Sequence, residues 1–394
     1  MPQAPSRVLQ QLLLPALLGF GVLVGASSAS ATNWTELRQE LIEVALGGLP
    51  SAQEPDHVFP AGEKYLNSTG GQYEGIGPNA SALVWTIKEG GLSLNATVYY
   101  SLNTSGTALA NYPDDVTSGT GHSAGQRNNN GDCGPRQLPK RITDTLVMYH
   151  NGHETHWIDK GNTQPVCVRG NGELSGVPTA ANAHAIECWL NYDTTFGWLN
   201  ELGYDAMEFY MPLRGPNNNG TMGTQSHSWF EKYETAGVKT MAFFLRPVIL
   251  AVNYAKRLGY KRIVLVGLSG GGWTTTVAAA IDKRIDLSIP VAGSLPFAMR
   301  TQHKGDPYHD IGDYEQLQAR PMYKAVNYTG MYVLAGLEGG RQQMQILHEE
   351  DPCCFRAGGG RPNGHAEILD YNTRVQAEIA RAQGGYMCTA ATIG

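Results

Sequence analysis

The chain has 394 residues, of which 16% are charged and 42% are hydrophobic, and it carries a formal net charge of −6. The sequence is acidic overall and has no basic cluster. Nucleic acids and anionic membrane surfaces are therefore not expected as partners. The hydrophobic fraction also excludes an intrinsically disordered chain.

The first segment has the form of a secretory signal peptide. Arg7 precedes an apolar run from Leu12 to Ala26, and Ala29-Ser30-Ala31 has the small-x-small pattern of a cleavage site. The apolar run is shorter than the about 20 residues that a transmembrane helix needs, so we expect no stable membrane span. The sequence predicts a signal peptide over residues 1–31 and a secreted single domain over residues 32–394.

Sequons and cysteines agree with export. Disulfides are expected in an oxidising compartment, and the spacing of the cysteines does not resemble a zinc site. Their connectivity stays open. The asparagines of the Asn-x-Ser/Thr sequons, where N-glycosylation is expected, are Asn33, Asn67, Asn79, Asn95, Asn103, Asn219 and Asn327, and the cysteines are Cys133, Cys167, Cys188, Cys353, Cys354 and Cys388.

The N-terminal part combines a helix with antiparallel strands. An amphipathic pattern over residues 33–46 predicts a helix within an extension that covers about residues 32–80. Strand-like runs at residues 82–87 and 93–101 flank Glu89-Gly90-Gly91 and predict a hairpin. Residues 104–140 are rich in Gly, Asn, Asp, Ser and Pro and predict a long loop.

From Ile142 onward, strand-like and helix-like segments alternate, which predicts a mostly parallel α/β sheet with helices on both faces. The Gly/Asn-rich insertion at residues 215–240 is a candidate cap or a plain surface loop. The strand-like runs are residues 144–150, 206–212, 262–267, 287–293 and 341–347, and the helix-like segments are residues 180–202, 241–258, the stretch after Ser269, and 366–383.

Ser269 stands at the centre of the most informative motif. The apolar run Ile263–Val266 leads into Gly267-Leu268-Ser269-Gly270-Gly271, and a helix of small residues follows. This strand, sharp turn and helix form a nucleophile elbow, in which the serine hydroxyl is exposed and the first helical amides face a bound oxyanion. A second match places Ser123 in the predicted loop, without a strand before it or a helix after it. The context therefore favours Ser269.

A serine nucleophile needs a histidine base and an acid that orients it. His365 precedes the last predicted helix and is our candidate base, with a helix N-terminal surface residue as the alternative interpretation. Asp351 follows the last predicted strand and is the candidate acid by its position. Its neighbours remain open as the acid, and they are Glu338, Glu349 and Glu350.

An oxyanion site is predicted where the strand at residues 144–150 ends. The turn His150-Asn151-Gly152-His153 follows it, and such a turn presents backbone N–H groups. The expected donors are the amide of Gly270 with that of Gly152 or His153. An ordinary βα loop is the alternative interpretation of this turn.

Together these residues resemble the α/β-hydrolase superfamily over residues 142–383: the turn at 150–153, the elbow at 267–271, an acid at 351 and a histidine at 365. The resemblance implies a mostly parallel sheet, an acyl-serine intermediate that water resolves, and no metal or organic cofactor. The turn lacks the glycine-rich form of lipases, so the substrate class stays open.

The resulting expectation is a secreted serine carboxylesterase that acts on a small-molecule or carbohydrate-linked ester. A secreted serine peptidase on the same fold and a non-catalytic glycosylated binding protein are the alternatives. Four aromatic residues are candidates for the substrate pocket, with core packing as the competing interpretation, and they are Trp157, Trp229, Phe230 and Trp273.

Overall fold

A nine-stranded sheet dominates the part of the chain that the structure describes. The structure is a computed structural model. It describes residues 32–60, 65–66, 72–73, 80–102, 141–153, 167–169, 174–175, 186–188, 199–200, 202–217, 227–299, 313–348, 364–382 and 384–392.

The strands of this sheet are β1 (His57–Phe59), β2 (Ala80–Glu89), β3 (Leu92–Ser101), β4 (Ile142–His150), β5 (Tyr204–Phe209), β6 (Arg262–Leu268), β7 (Leu287–Val291), β8 (Gln342–His348) and β9 (Tyr386–Thr392). Their order in the sheet is β1-β2-β3-β5-β4-β6-β7-β8-β9. β1, β2 and β3 pair in antiparallel fashion, and β3 is also antiparallel to β5, whereas the pairs from β5 to β9 are all parallel. The predicted fold class, a mostly parallel α/β sheet with N-terminal antiparallel strands, is confirmed.

Helices cover the sheet, and short 3-10 turns and small strands complete the described elements. The α-helices are α1 (Trp34–Leu46), α2 (Glu231–Thr235), α3 (Ala242–Arg257), α4 (Gly270–Ile281), α5 (Pro321–Ala325), α6 (Tyr328–Gly336) and α7 (Gly364–Arg381). The 3-10 turns are Gly215–Asn217, His227–Phe230, Phe297–Met299 and Tyr314–Gln316. Two small sheets contain Tyr65–Leu66 with Gln72–Tyr73, and Cys167–Arg169 with Leu174–Ser175 and Ile186–Cys188.

The predicted hairpin and the predicted end of α3 are confirmed by their turn residues. Gly90 and Gly91 connect β2 to β3 with φ values of 53° and 82°. Positive φ at both central residues is the geometry of the two-residue turn that matches strand twist. α3 ends at Arg257, and Gly259 follows with a φ of 93°, as expected for a left-handed residue after a helix.

Two sequence predictions need correction. The helix expected over residues 180–202 is interrupted, because Ile186–Cys188 is a strand that pairs with Cys167–Arg169, and residues 199–200 are helical. Its apolar spacing did not distinguish a helix from short strands. The last helix begins at Gly364 rather than after His365, so His365 belongs to its first turn.

The strands divide the core between the two faces of the sheet. Alternate residues of β6 show the division: Ile263 and Leu265 are fully buried against the helices of the larger core, while Val264 and Val266 are half-buried on the other face. The smaller core on that face includes Leu199 from the helical pair 199–200. Both faces of the parallel strands are therefore covered, as a parallel sheet requires.

Two buried arginines bind the last carbonyl groups of α4. Arg38 on α1 is 3% exposed and donates to the carbonyls of Ala280 and Leu334 at 2.8 and 2.6 Å. Arg341 is 4% exposed and donates to Leu334 and to the carbonyl of Ala279. Glu338 accepts from both guanidinium groups. The unpaired carbonyls that end α4 and α6 are thereby satisfied by cations, which also suit the negative ends of helix dipoles.

Several sequence predictions fall partly or wholly outside the described residues. They include the signal peptide, the loop at 104–140, and the residues Ser123, Trp157 and Asp351. The sequon asparagines that the structure describes are Asn33, Asn95 and Asn327, and all three are exposed. Within the described ranges, no helix combines the length and apolar character needed to cross a membrane.

The predicted disulfides stay a prediction. Among the cysteines whose side chains the structure describes, Cys388 is half-buried and carries a free thiol. Cys167 and Cys188 are direct partners across the two strands of a small sheet, although only their backbones are described.

We expect Arg38→Ala to lower the free energy of unfolding by on the order of 3 kcal/mol, because it leaves the buried carbonyl of Ala280 without its side-chain donor and removes one of the two guanidinium groups that bind Leu334 O and Glu338. Urea denaturation measures this change. Arg374→Ala is the matched control, since Arg374 is exposed and pairs only with exposed Asp370, and it should cost less than about 1 kcal/mol. Equal effects of the two substitutions would contradict the assigned role of Arg38.

Candidate active site

Ser269 lies at a sharp turn between β6 and α4. Its φ and ψ are 56° and −123°, which is a strained conformation for a residue with a side chain. The Ser269 N–H donates to Val291 O at 2.9 Å, and its carbonyl accepts from Trp273 N at 3.0 Å, which starts α4. The side chain is half-buried at the carboxyl end of a central strand. This geometry is the strand, sharp turn and helix expected from the sequence, at the carboxyl end of a strand in a mostly parallel sheet.

The turn after β4 packs directly against this elbow. β4 and β6 are parallel neighbours, with His150 opposite Gly267. Gly152 has a φ of 69°, and a Cβ built on it would lie 2.3 Å from Leu268 O and 3.1 Å from Gly270 N. A Cβ on Gly271 would lie 2.1 Å from His150 O. The two backbones are in contact, and neither has room for a side chain.

His150 holds the shape of the turn. The Gly152 N–H donates to His150 Nδ1 at 3.2 Å, so Nδ1 must be an acceptor. Burial, followed by the charge of nearby His153, lowers the pKa of His150 to about 3, which keeps the ring neutral. The ring is 2% exposed and stacks on Phe209. The Gly152 amide is therefore already engaged, and the amide of His153 is the next one along the turn.

The His153 ring lies over the start of α4. A Cβ built on Gly270 would lie 2.6 Å from His153 Cε1 and 2.7 Å from Nδ1, so the ring occupies the space above this glycine. The His153 side chain is 16% exposed, and its Nε2 lies 3.2 Å from Asp313 Oδ2. Burial is the largest influence on His153 and lowers its pKa.

Behind His153 lie a second histidine and a carboxylate. His227 begins the 3-10 turn His227–Phe230, and Glu315 is in the 3-10 turn Tyr314–Gln316. Their side chains are 1% and 0% exposed, and His227 Nδ1 lies 2.9 Å from Glu315 Oε2. Burial alone would raise the pKa of Glu315, but the charge of and hydrogen bond from His227 outweigh it and lower the pKa. The three side chains form a group that could hold a metal ion.

The aromatic residues proposed for the substrate pocket have different surroundings. Phe230 and Trp273 are fully buried, each with 0% accessible surface. Trp273 Nε1 donates to Tyr323 OH at 2.6 Å. Core packing accounts for both. Trp229 is half-buried beside Tyr233, and it remains a candidate for contact with substrate.

The topology places the start of α7 at the edge of the sheet where Ser269 lies. β8 and β9 are parallel neighbours in the sheet, and α7 connects them. The helix must therefore run from the carboxyl edge back to the amino edge, with His365 in its first turn at the carboxyl edge. The backbone path is compatible with His365 as the base.

One of the four candidates for the catalytic acid is excluded by its position in the fold. Glu338 precedes β8 and pairs with Arg38, Arg341 and Lys283 near the carboxyl-terminal end of α4, at the opposite edge of the sheet from Ser269. It does not reach the elbow. Asp351, Glu349 and Glu350 lie outside the described residues, after β8 ends at His348.

His227 and Glu315 are not among the site residues predicted from the sequence. His227 lies two positions before Trp229 in the Gly/Asn-rich insertion, and Glu315 lies in a polar stretch between predicted elements. The separations of 74 and 88 residues that join His227 to His153 and Glu315 match no local motif. Nothing in the sequence alone brings these residues together.

Comparisons with known proteins give remote similarity. No family model and no curated protein matches the chain. A promiscuous CE15 esterase from the marine bacterial metagenome is 14% identical with a TM-score of 0.45, and the match covers 94% of this chain and 89% of that chain. A carbohydrate esterase family 15 (CE15) glucuronoyl esterase from Caldicellulosiruptor kristjansonii is 14% identical with a TM-score of 0.41, over 92% and 79% of the two chains. Pyrococcus horikoshii acylaminoacyl peptidase is 10% identical with a TM-score of 0.38, over 81% and 37%. Identities and scores this low assign no activity.

We expect Gly152→Ala to destabilise the protein and to reduce any activity of Ser269 by on the order of 10²-fold or more, because the added methyl group pushes the turn away from the elbow. Gly91→Ala is the matched control: its φ is also positive, at 82°, but a Cβ there meets nothing within 4 Å. Thermal unfolding and ester hydrolysis measure the two effects. Full activity in Gly152→Ala would contradict the proposed close packing.

Proposed function

We propose that the protein is a secreted serine carboxylesterase. The observation that carries this proposal is the contact between the strained elbow at Ser269 and the turn at Gly152 and His153. A half-buried serine beside two sets of backbone amides is an arrangement suited to acyl transfer. The N-terminal segment, the sequons and the cysteine content support export.

The first half of the reaction forms an acyl-enzyme. His365 takes the proton of Ser269 Oγ as the oxygen attacks the carbonyl carbon of the ester. The tetrahedral intermediate carries a negative charge on the former carbonyl oxygen. It collapses when the bond to the alcohol oxygen breaks, and His365 gives its proton to the departing alcohol.

The second half releases the acid. His365 removes a proton from water, which attacks the acyl carbon, and the bond to Ser269 Oγ then breaks as the oxygen regains a proton. Asp351 orients His365 and stabilises its charged form. The net reaction is the hydrolysis of one ester bond by one water molecule, and it gives one acid and one alcohol.

The oxyanion is assigned to the amides of Gly270 and His153. Gly270 is the first residue of α4, so its N–H has no acceptor within the helix and points out of its positive end. In the turn, the amide of Gly152 donates to His150, which favours His153 as the second donor. Gly152 contributes by allowing the two backbones to approach.

The substrate is proposed as a small-molecule or carbohydrate-linked ester. A peptidase on the same scaffold would use the same serine, histidine and oxyanion donors, so the nature of the bond that is cleaved separates these two functions. A binding protein without catalysis would have no reactive serine at all. One experiment distinguishes the three.

We expect Ser269→Ala to abolish labelling by a fluorophosphonate probe and to lower aryl ester hydrolysis by at least about 10³-fold, because the nucleophile is removed. Ser123→Ala is the control and should label and hydrolyse like the wild type. The wild type should cleave a short-chain aryl ester much faster than the matching anilide. Preference for the anilide would favour the peptidase, and a folded wild type that does not label would favour the binding protein.

We expect Asp351→Asn to lower kcat by about 10³- to 10⁴-fold, because the amide no longer holds the correct histidine tautomer. Glu338→Gln is the control among the acids considered from sequence, and it should keep kcat while lowering the unfolding midpoint. If Glu349→Gln or Glu350→Gln lost activity instead, the acid assignment would move to that residue.

A further inference from the structure

Three donor side chains, from His153, His227 and Glu315, meet beside the oxyanion turn, and Asp313 lies next to His153. His153 Nε2 lies 3.1 Å from His227 Nδ1, 3.4 Å from Glu315 Oε1 and 3.2 Å from Asp313 Oδ2. His227 Nδ1 in turn lies 2.9 Å from Glu315 Oε2. The residues come from the turn after β4 and from two 3-10 segments, so three separate parts of the chain supply this group.

The hydrogen bonds around His227 determine which of its nitrogens faces the group. His227 Nε2 lies 2.9 Å from Pro212 O, and a carbonyl oxygen accepts only from a nitrogen that carries hydrogen. In the neutral ring, Nδ1 then presents a lone pair toward the carboxylate of Glu315 and toward His153 Nε2. The short contact between Nδ1 and Oε2 therefore needs a positive charge, which either a proton on Nδ1 or a metal ion between these atoms supplies.

The buried carboxylate of Glu315 also needs a positively charged partner. Its side chain is 0% exposed, and Oε1 has no hydrogen-bond partner among the described residues. Burying an ionised carboxylate oxygen without a donor is costly, and buried carboxylates are normally paired or bound to a metal. This atom faces His153 Nε2 at 3.4 Å.

We propose that His153, His227 and Glu315 bind one zinc ion. Zinc is held by nitrogen at about 2.0–2.1 Å and by carboxylate oxygen at about 2.0–2.2 Å, so the ligand atoms of a tetrahedral site are separated by about 3.3 Å. His153 Nε2 lies 3.1 Å from His227 Nδ1 and 3.4 Å from Glu315 Oε1, and His227 Nδ1 lies 2.9 Å from Glu315 Oε2, which is close to that spacing. Two imidazoles and one carboxylate are also a ligand set that zinc accepts.

The surroundings fit a metal ligand at His227. A histidine that binds a metal through one nitrogen commonly donates its other N–H to a backbone carbonyl, which fixes the ring. Pro212 O supplies this acceptor, and Phe244 packs against the ring at a centroid distance of 4.9 Å. Burial of His227 and Glu315 limits access of water to one side of the site.

The proposed zinc would hold the oxyanion turn in place. Its three protein ligands leave a fourth tetrahedral position, which water would fill. The ion would fix the His153 ring over Gly270 and thereby the turn that faces Ser269. The family resemblance implied no bound metal, and the three ligands lie too far apart in the sequence to form a spacing motif.

The test measures zinc directly. Secreted full-length wild type is dialysed with zinc sulfate and then against metal-free buffer, and its zinc content is determined by inductively coupled plasma mass spectrometry. We expect about one zinc per chain. His227→Gln and Glu315→Gln should each lose it, while His57→Gln, which changes an exposed histidine on β1, should retain it.

A second measurement on the wild type covers variants that fail to fold. Removal of zinc by a chelator should lower the thermal unfolding midpoint, and added zinc should restore it, because the ion binds the folded state. Cobalt in place of zinc should give the intense visible absorption of a tetrahedral site. Neither readout depends on catalysis. A wild type that retains no more zinc than His227→Gln, or whose unfolding midpoint does not respond to the chelator, would overturn the proposal.

Discussion

The contact between two backbones, without a side chain between them, is the constraint on which the candidate active site depends. Gly152 and Gly271 face one another across the ends of β4 and β6 at distances that exclude a Cβ. This approach is available only because the two strands are parallel neighbours with aligned carboxyl ends. The sheet order, the strained serine and the amides of the turn therefore belong to one geometrical arrangement.

The helix that starts at this contact is fixed at both ends. Its N-terminal turn packs against the oxyanion turn, and its last carbonyls accept from the buried guanidinium groups of Arg38 and Arg341. Between these ends all residues of α4 are buried. Strain at Ser269 persists when the surrounding structure determines it from several directions. A rigid, fully buried helix supplies one of those directions.

Local sequence signals predicted the elements whose structure is decided locally. The elbow at Ser269, the hairpin at Gly90-Gly91 and the end of α3 at Gly259 each depend on residues within a few positions of one another. The prediction of a helix over residues 180–202 was wrong, because short apolar runs do not distinguish a strand from a helix until a partner strand is known. The parallel edge strand β9 was missed.

The site was predictable only in part, for the same reason. Ser269 and the turn at Gly152 follow strands in the sequence, so their positions at the carboxyl edge could be inferred from the pattern. The grouping of His153 with His227 and Glu315 depends on contacts across 74 and 88 residues. The burial of a tryptophan side chain cannot be inferred from its position in the sequence. Trp273 is a core residue, whereas Trp229 is half-buried.

The position of Arg38 has a consequence for the order in which the chain acquires its structure during synthesis. Its acceptors at Ala280 and Leu334 lie 242 and 296 residues further along the chain. α1 therefore leaves the ribosome long before the carbonyls that it must bind exist. Until they arrive, its guanidinium group stays hydrated, and α1 lacks these buried partners. Contacts of such long separation make folding slow, so a nascent chain that stops before Ala280 would leave Arg38 without both of these acceptors and α1 accessible to chaperones and proteases.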